Sequence, residues 1–149
     1  MNLFAVYLQE INSIYHVQIV RVYGEEIERI EFPVPWAPKP PRRSTQKNST
    51  DVRSNKDLHA ISMHRLIRMP SNPRSEEIKA YDKKFKENPD SVKYSEINTY
   101  MDAVSAAEQH EIAKATIILC TCSTAGAPRL TRRFFQRRLN IQTVVTVLF

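Results

Sequence analysis

Three short runs dominated by β-branched residues limit what this chain can fold into: VQIVRVY (17–23), TIILC (116–120) and the valine-rich run from Leu139 to Leu148. Each has the length and composition of a strand. Within them, stretches of β-branched residues such as TIIL and TVV suit strands buried on both faces of a parallel sheet. Parallel neighbours need a crossover connection between them. The long stretch between the first two runs must therefore supply helices, and the fold class is α/β.

The intervening sequence divides by composition. Residues 3–15 place Phe4, Leu8, Ile11 and Tyr15 at helical spacing. Gly24 is expected to end the first strand. From 31 to 55 the chain carries Pro33, Pro35, Pro38, Pro40 and Pro41 and then turns polar and basic, as an extended linker or surface loop does. Helices are expected over 57–68, closed by Pro70 and Pro73, and over 76–87, with Ser75 as cap and Ile78, Tyr81 and Phe85 on one face. A long helix over 93–113 would align Ile97, Tyr100, Met101, Val104 and Ala107 and lead back to the core. The second strand should span 116–121 and be followed by a loop over 122–130.

At 149 residues one domain is the first expectation. Net charge is +6 and the isoelectric point about 9.5, which favours polyanionic partners such as nucleic acid. Cys120 and Cys122 would share one face of a strand and are read as reduced, buried thiols. Together with the charge, reduced thiols suggest an intracellular protein of the nucleus or cytoplasm. No apolar stretch approaches the ~20 residues a membrane helix needs, so no membrane partner is expected.

The run IILCTCSTAGAPRL (117–130) is where a site could form. Ligands of open α/β sheets bind at the carboxyl ends of the strands. There Thr121, Ser123 and Thr124 offer hydroxyls, Gly126 permits close backbone approach, and Arg129 can pair with phosphate. The same residues also fit an ordinary polar turn. Arg132, Arg133, Arg137 and Arg138 flank Phe134 and Phe135, a mixture that suits a nucleic-acid backbone with stacked bases. A solvated basic face over two core phenylalanines, or a nuclear-localisation patch, would look the same. Between Lys39 and Arg74 nine Lys or Arg residues face only Asp51 and Asp57 among acids in the basic loop and first helix, so diffuse phosphate contact competes with simple solubility there.

Other sites are excluded by spacing. His110-Glu111 begins like HExxH, but Lys114 stands where the second histidine belongs. His59 and His64 are five apart, poor spacing for one helix face. No GxxxxGK[ST] occurs, and no Asp-Glu pair follows a hydrophobic strand to hold magnesium.

In order along the chain, VRVYGEEIE, DLHAISMHRLIRMPSNP and IILCTCSTAGAPRL resemble superfamily 1 helicases related to the nonsense-mediated-decay helicase, most of all the helicase-with-zinc-finger-2 group and its second helicase module. The likeness runs over roughly residues 17–145. It implies a partial RecA-like parallel sheet interrupted by a mostly helical stalk and insert. Residues 1–30 would be core, 31–115 the basic loop and insert, and 116–149 returning core strands that stop before the Asp-Glu motif. It implies a fragment of an ATP-dependent RNA or DNA helicase. The fragment would touch single-stranded nucleic acid through Thr121, Ser123, Thr124, Gly126, Arg129, Arg132 and Arg133. It implies no cofactor within the chain itself, ATP and Mg²⁺ belonging to the complete module, and no catalysis by this chain alone. A non-enzymatic binding isoform is the alternative.

Overall fold

The computed structural model describes residue 10, residues 17–37, 56–128 and 130, and residues 144–147. Strands β1 (Ile19–Arg21), β2 (Ile117–Cys120) and β3 (Val144–Val147) form a parallel sheet in the order β1-β2-β3. Ile19 sits opposite Ile117 and Ile117 opposite Val144, so β2 is central. Val22 N–H extends the ladder to Leu119 O at 2.8 Å. The parallel arrangement expected from the β-branched runs is present.

Successive residues of the strands enter two different cores. Val20, Val22, Ile118 and Cys120 pack with Met63, Ile67, Ile78, Phe85 and Tyr100 on one face. Ile19 and Leu119 pack with Leu58 on the other, backed by Val17, Ile61 and Ile117. This is why Ile117–Cys120 reads as continuously apolar: a strand covered on both faces has no polar side.

Between β1 and β2 run α1 (Glu25–Glu31), a 3₁₀ segment (Lys56–Ile61), α2 (Met63–Leu66), α3 (Ser75–Glu87), a second 3₁₀ turn (Pro89–Ser91) and α4 (Tyr94–Lys114). A single turn, α5 (Cys122–Ala125), follows β2.

Several local expectations change. Gly24 does not simply end a strand. It is the N-cap of α1, an unanticipated helix whose first turn carries Glu25, Glu26 and Glu28 against the helix dipole. The helix expected over 57–68 is broken at Ser62. That residue is extended, its hydroxyl donates to Leu58 O at 2.7 Å, and it makes a parallel bridge to Arg21. Ser75 is the first helical residue rather than a cap. Asn72 Oδ1 instead accepts from Arg74 N–H at 3.0 Å just before the helix. In α4 the buried face is Tyr100, Ala103, Ala107, Glu108, Glu111 and Ile112, and Met101 is turned out to 53% exposure.

The proline-rich stretch is not all linker. Val34 packs on the main core, and the Trp36 ring meets Phe85 and Tyr100 edge-on at 5.2 and 5.8 Å. The expected helix over 3–15, the basic loop from Lys39 to Arg53 and the greater part of 139–148 lie outside the described residues.

Candidate functional site

β2 ends at Cys120, one residue sooner than expected, and the chain turns at once into α5. Thr121 caps that turn. Its Oγ1 accepts from Thr124 N–H at 3.3 Å and lies 3.1 Å from Ser123 Oγ and 2.9 Å from Thr124 Oγ1. The three hydroxyls thus form one exposed cluster at the carboxyl end of the central strand. Gly126 closes the turn with φ −76° and ψ −8°, a conformation open to any residue. A Cβ there would meet Cys122 O only at 3.7 Å, so the turn itself does not require glycine. The expectation of a loop over 122–130 is corrected to a helical turn, with Leu130 buried beyond it. Arg129, Arg132 and Arg133 lie outside the described residues.

The early strand end also separates the two thiols. Cys120 is buried and Cys122 exposed, against the expectation of two buried thiols on one face. Burial pushes the Cys120 thiol above its ordinary pKa, with the neighbouring Cys122 adding to the effect.

Beside this turn opens a cavity of about 520 Å³, which sequence reasoning had not marked. Its walls come from α1, from Phe32 to Trp36, from α2 and the turn after it, from α4, and from Pro128 just past α5. Two of these walls, α1 and Pro128, come from the segments that follow β1 and β2 in the chain. Phe32, Trp36, Tyr100 and Met101 supply aromatic and apolar surface, while Glu28, Ser105 and Gln109 are polar. The one sequence signal was Trp36, the single tryptophan, set among prolines.

Two polar networks hold the walls. Arg68 lies with its guanidinium 3.6 Å from the centre of the Phe32 ring. It donates to both oxygens of Asp82 at 2.6 and 3.0 Å, to Tyr100 Oη at 3.1 Å and to His64 O at 2.5 Å. Burial raises the Tyr100 phenol far above its ordinary pKa, so Tyr100 stays neutral.

The second network centres on Glu31, at the end of α1. His64 Nε2 lies 3.0 Å from Oε2, Arg65 Nε 2.9 Å from the same oxygen, and His59 Nε2 3.5 Å from Oε1. His59 and His64 had been dismissed on helical spacing. They converge because the segment is 3₁₀, then extended at Ser62, then α-helical. Burial pushes His64 below the usual histidine range, outweighing its Glu31 bond. Burial alone would raise Glu31, but the hydrogen bond from His64 and the charge of Arg65 hold it below the ordinary carboxylate range. His64 Nδ1 is buried without a hydrogen-bond partner. The neutral ring, with its proton on Nε2 toward Glu31, is thus the favoured form.

Among the described residues no group of three or more His, Cys, Asp or Glu side chains is placed to hold a metal ion. No helix among them is long and apolar enough to cross a membrane.

No protein-family model matches the chain, and no solved structure matches it. Two curated proteins do. The chain is 35% identical over 111 residues to the 3′-5′ exoribonuclease HELZ2 of Mus musculus, and 34% identical over 111 residues to the protein of that name from Homo sapiens. Each alignment covers 74% of this chain but only 4% of the relative's length. Over about three quarters of its length, the chain is a homologue of one short segment of the helicase-with-zinc-finger-2 proteins.

Proposed function

We propose that this chain is part of the RecA-like core of a helicase module and that it contributes contacts to single-stranded RNA. The observation that carries this reading is the hydroxyl cluster of Thr121, Ser123 and Thr124. It lies at the carboxyl end of the central parallel strand, in a chain whose relatives are named exoribonucleases. Such an edge is where α/β sheets receive ligands. Backbone and side-chain donors there can hold phosphates, while Arg129, Arg132 and Arg133 follow directly in sequence and add charge.

On this reading residues 1–30 and 116–149 belong to the sheet layer and 31–115 to the insert and stalk. Thr121, Ser123, Thr124 and Gly126 approach the sugar-phosphate chain, and the three arginines neutralise it. ATP and Mg²⁺ would act through parts of the module that carry a phosphate loop, since GxxxxGK[ST] does not occur here. The RNA-degrading activity in the relatives' name belongs to proteins of which this segment matches 4%.

Fluorescence anisotropy with a labelled single-stranded 12-mer RNA at several salt concentrations tests the reading. Each neutralised phosphate contributes a slope of about −0.7 in log K against log salt for a single strand. Replacing Arg129, Arg132 and Arg133 by alanine should therefore flatten the slope by about 2 and weaken binding at low salt. Unchanged affinity and slope in the triple variant would remove these residues from the interface.

A further inference from the structure

We propose that the cavity beside the hydroxyl turn receives one unstacked nucleobase of a bound single strand. The inference rests on the nucleic-acid reading above and adds to it the part of the ligand that enters the fold.

Position comes first. Pro128 lies two residues beyond Gly126 and is itself a wall of the cavity. A strand held at Thr121–Thr124 can continue past Pro128 to the cavity. α1, the helix that follows β1, supplies a further wall.

The lining is that of a base site. Trp36, 36% exposed, and Met101, 53% exposed, offer flat and apolar surface, backed by Phe32 under Arg68 and by the buried Tyr100. Large apolar side chains left open beside a concavity mark a binding surface more often than a fold does. At about 520 Å³ the cavity is of the size that small planar ligands occupy, roughly 300–1,000 Å³. Glu28 and Gln109 stand at its polar edge, and a carboxylate keeps acceptor capacity beyond a first partner. They can receive the N–H groups of a base edge.

Charge selects the base over other occupants. The lining holds Glu25, Glu28 and Glu108 against Arg29 and Arg68, and Arg29 is spent on Glu25 at 2.6 Å and Arg68 on Asp82. The glutamates disfavour a phosphate, which stays at the turn. The near-balance of charge gives a cationic peptide little to gain. A neutral, donor-bearing ring suits both conditions.

Trp36 is the only tryptophan, so its emission reports on this cavity alone. Two probes decide the matter: an unmodified single-stranded RNA 12-mer and an abasic oligonucleotide of the same length and charge. The RNA should quench Trp36 emission with the same midpoint as its anisotropy curve, whereas the abasic strand should bind with emission unmoved. Met101→Gln, an uncharged change of similar size at an exposed position and checked by circular dichroism, should weaken RNA binding roughly tenfold, in line with the loss of a stacked base. It should leave affinity for the abasic strand unchanged. Failure of both strands to bind overturns the nucleic-acid reading and this inference with it. RNA binding with silent Trp36 emission, or equal quenching by the abasic strand, overturns the inference alone. Quenching by an arginine-rich peptide but not by RNA would reassign the cavity to a protein partner.

Discussion

Arg68→Ala should be among the most damaging changes outside the sheet, and the structure says why. The Arg68 side chain is only 10% exposed and Asp82 20%. Its removal strands Asp82, whose two oxygens lose donors at 2.6 and 3.0 Å, and deprives Tyr100 Oη of a third. Breaking a buried ion pair by deleting one partner costs about 3–5 kcal/mol. Asp82 still accepts from Tyr100 at 3.2 Å and retains some access to water, which places the loss near the lower end, about 3 kcal/mol. Loss of the guanidinium over Phe32 adds about 0.5–1 kcal/mol. For a chain of this size each kcal/mol moves Tm by roughly 2–4 °C, so a fall of about 7–16 °C is expected. A double-mutant cycle with Asp82→Ala, followed by thermal circular dichroism, isolates the pair. The two single losses should sum to more than the double loss by at least 1 kcal/mol, as residues of one network do. Arg68→Lys should rescue only part, because an ammonium neither bridges both oxygens nor stacks on the ring. Arg74→Ala, which breaks an exposed pair with Glu77, is the control and should cost no more than about 0.5 kcal/mol. A loss below 1 kcal/mol for Arg68→Ala, or strict additivity with Asp82→Ala, would refute this account of the insert.

Acid should destabilise the protein in a window set by His64. Its folded pKa lies below the ordinary 6.5, so the stability it contributes is full above that value and is lost as pH falls toward the folded pKa. Chemical denaturation between pH 7 and 5 should show this fall, with His64→Gln flattening it; an unchanged slope in the variant would place the titration elsewhere. Glu31 acts in the same direction lower down, its stabilisation being full above 4.5 and lost as pH drops through its depressed folded value. A thiol reagent should modify Cys122 quickly and Cys120 only on unfolding, and two equally fast thiols would contradict the strand end at Cys120. Ile118→Ala, at a fully buried position of the central strand, should cost about 2–5 kcal/mol by denaturant titration.

Much of the frame was legible in the sequence because burial leaves a local mark. Ile117, Ile118, Leu119 and Cys120 are apolar without alternation, and that pattern alone indicates a parallel strand covered on both faces. The long helix was legible from its period, but its rotation was not. Met101 and Tyr100 are adjacent, and which of them faces inward depends on Arg68, in the turn after α2, and on Asp82 of α3. His59 and His64 were misjudged for a related reason. Helical spacing assumes one helix, and a single hydroxyl, that of Ser62, breaks it by competing for the carbonyl of Leu58. The cavity left least trace of all. Its walls come from Phe32, Trp36, Tyr100 and Pro128, far apart in the chain, and no periodicity joins them.

The two polar networks also explain how a long connection between β1 and β2 can leave the strand ends in place. α4 passes into β2 after only Ala115 and Thr116, so the position of α4 sets that of β2 and of the hydroxyl turn beyond it. α4 is itself fixed along its length: Arg68 reaches Tyr100, and Asn72 donates to Glu111 at 2.6 Å and to Ala107 O at 3.1 Å. α1, which follows β1, is tied by Glu31 to the same 59–65 segment from which Arg68 emerges. The β1–β2 connection therefore acts as a brace between α1 and α4, with the cavity between them. A brace of this kind makes a firm demand. Arg68→Ala should disturb the hydroxyl turn as well as overall stability, although no residue of that turn touches Arg68. Hydrogen exchange at the Thr124 and Ala125 amides, measured under conditions where the variant remains folded, should accelerate relative to the unaltered chain. Unchanged exchange there would show that the turn is held by β2 alone and that the insert merely rests on the sheet.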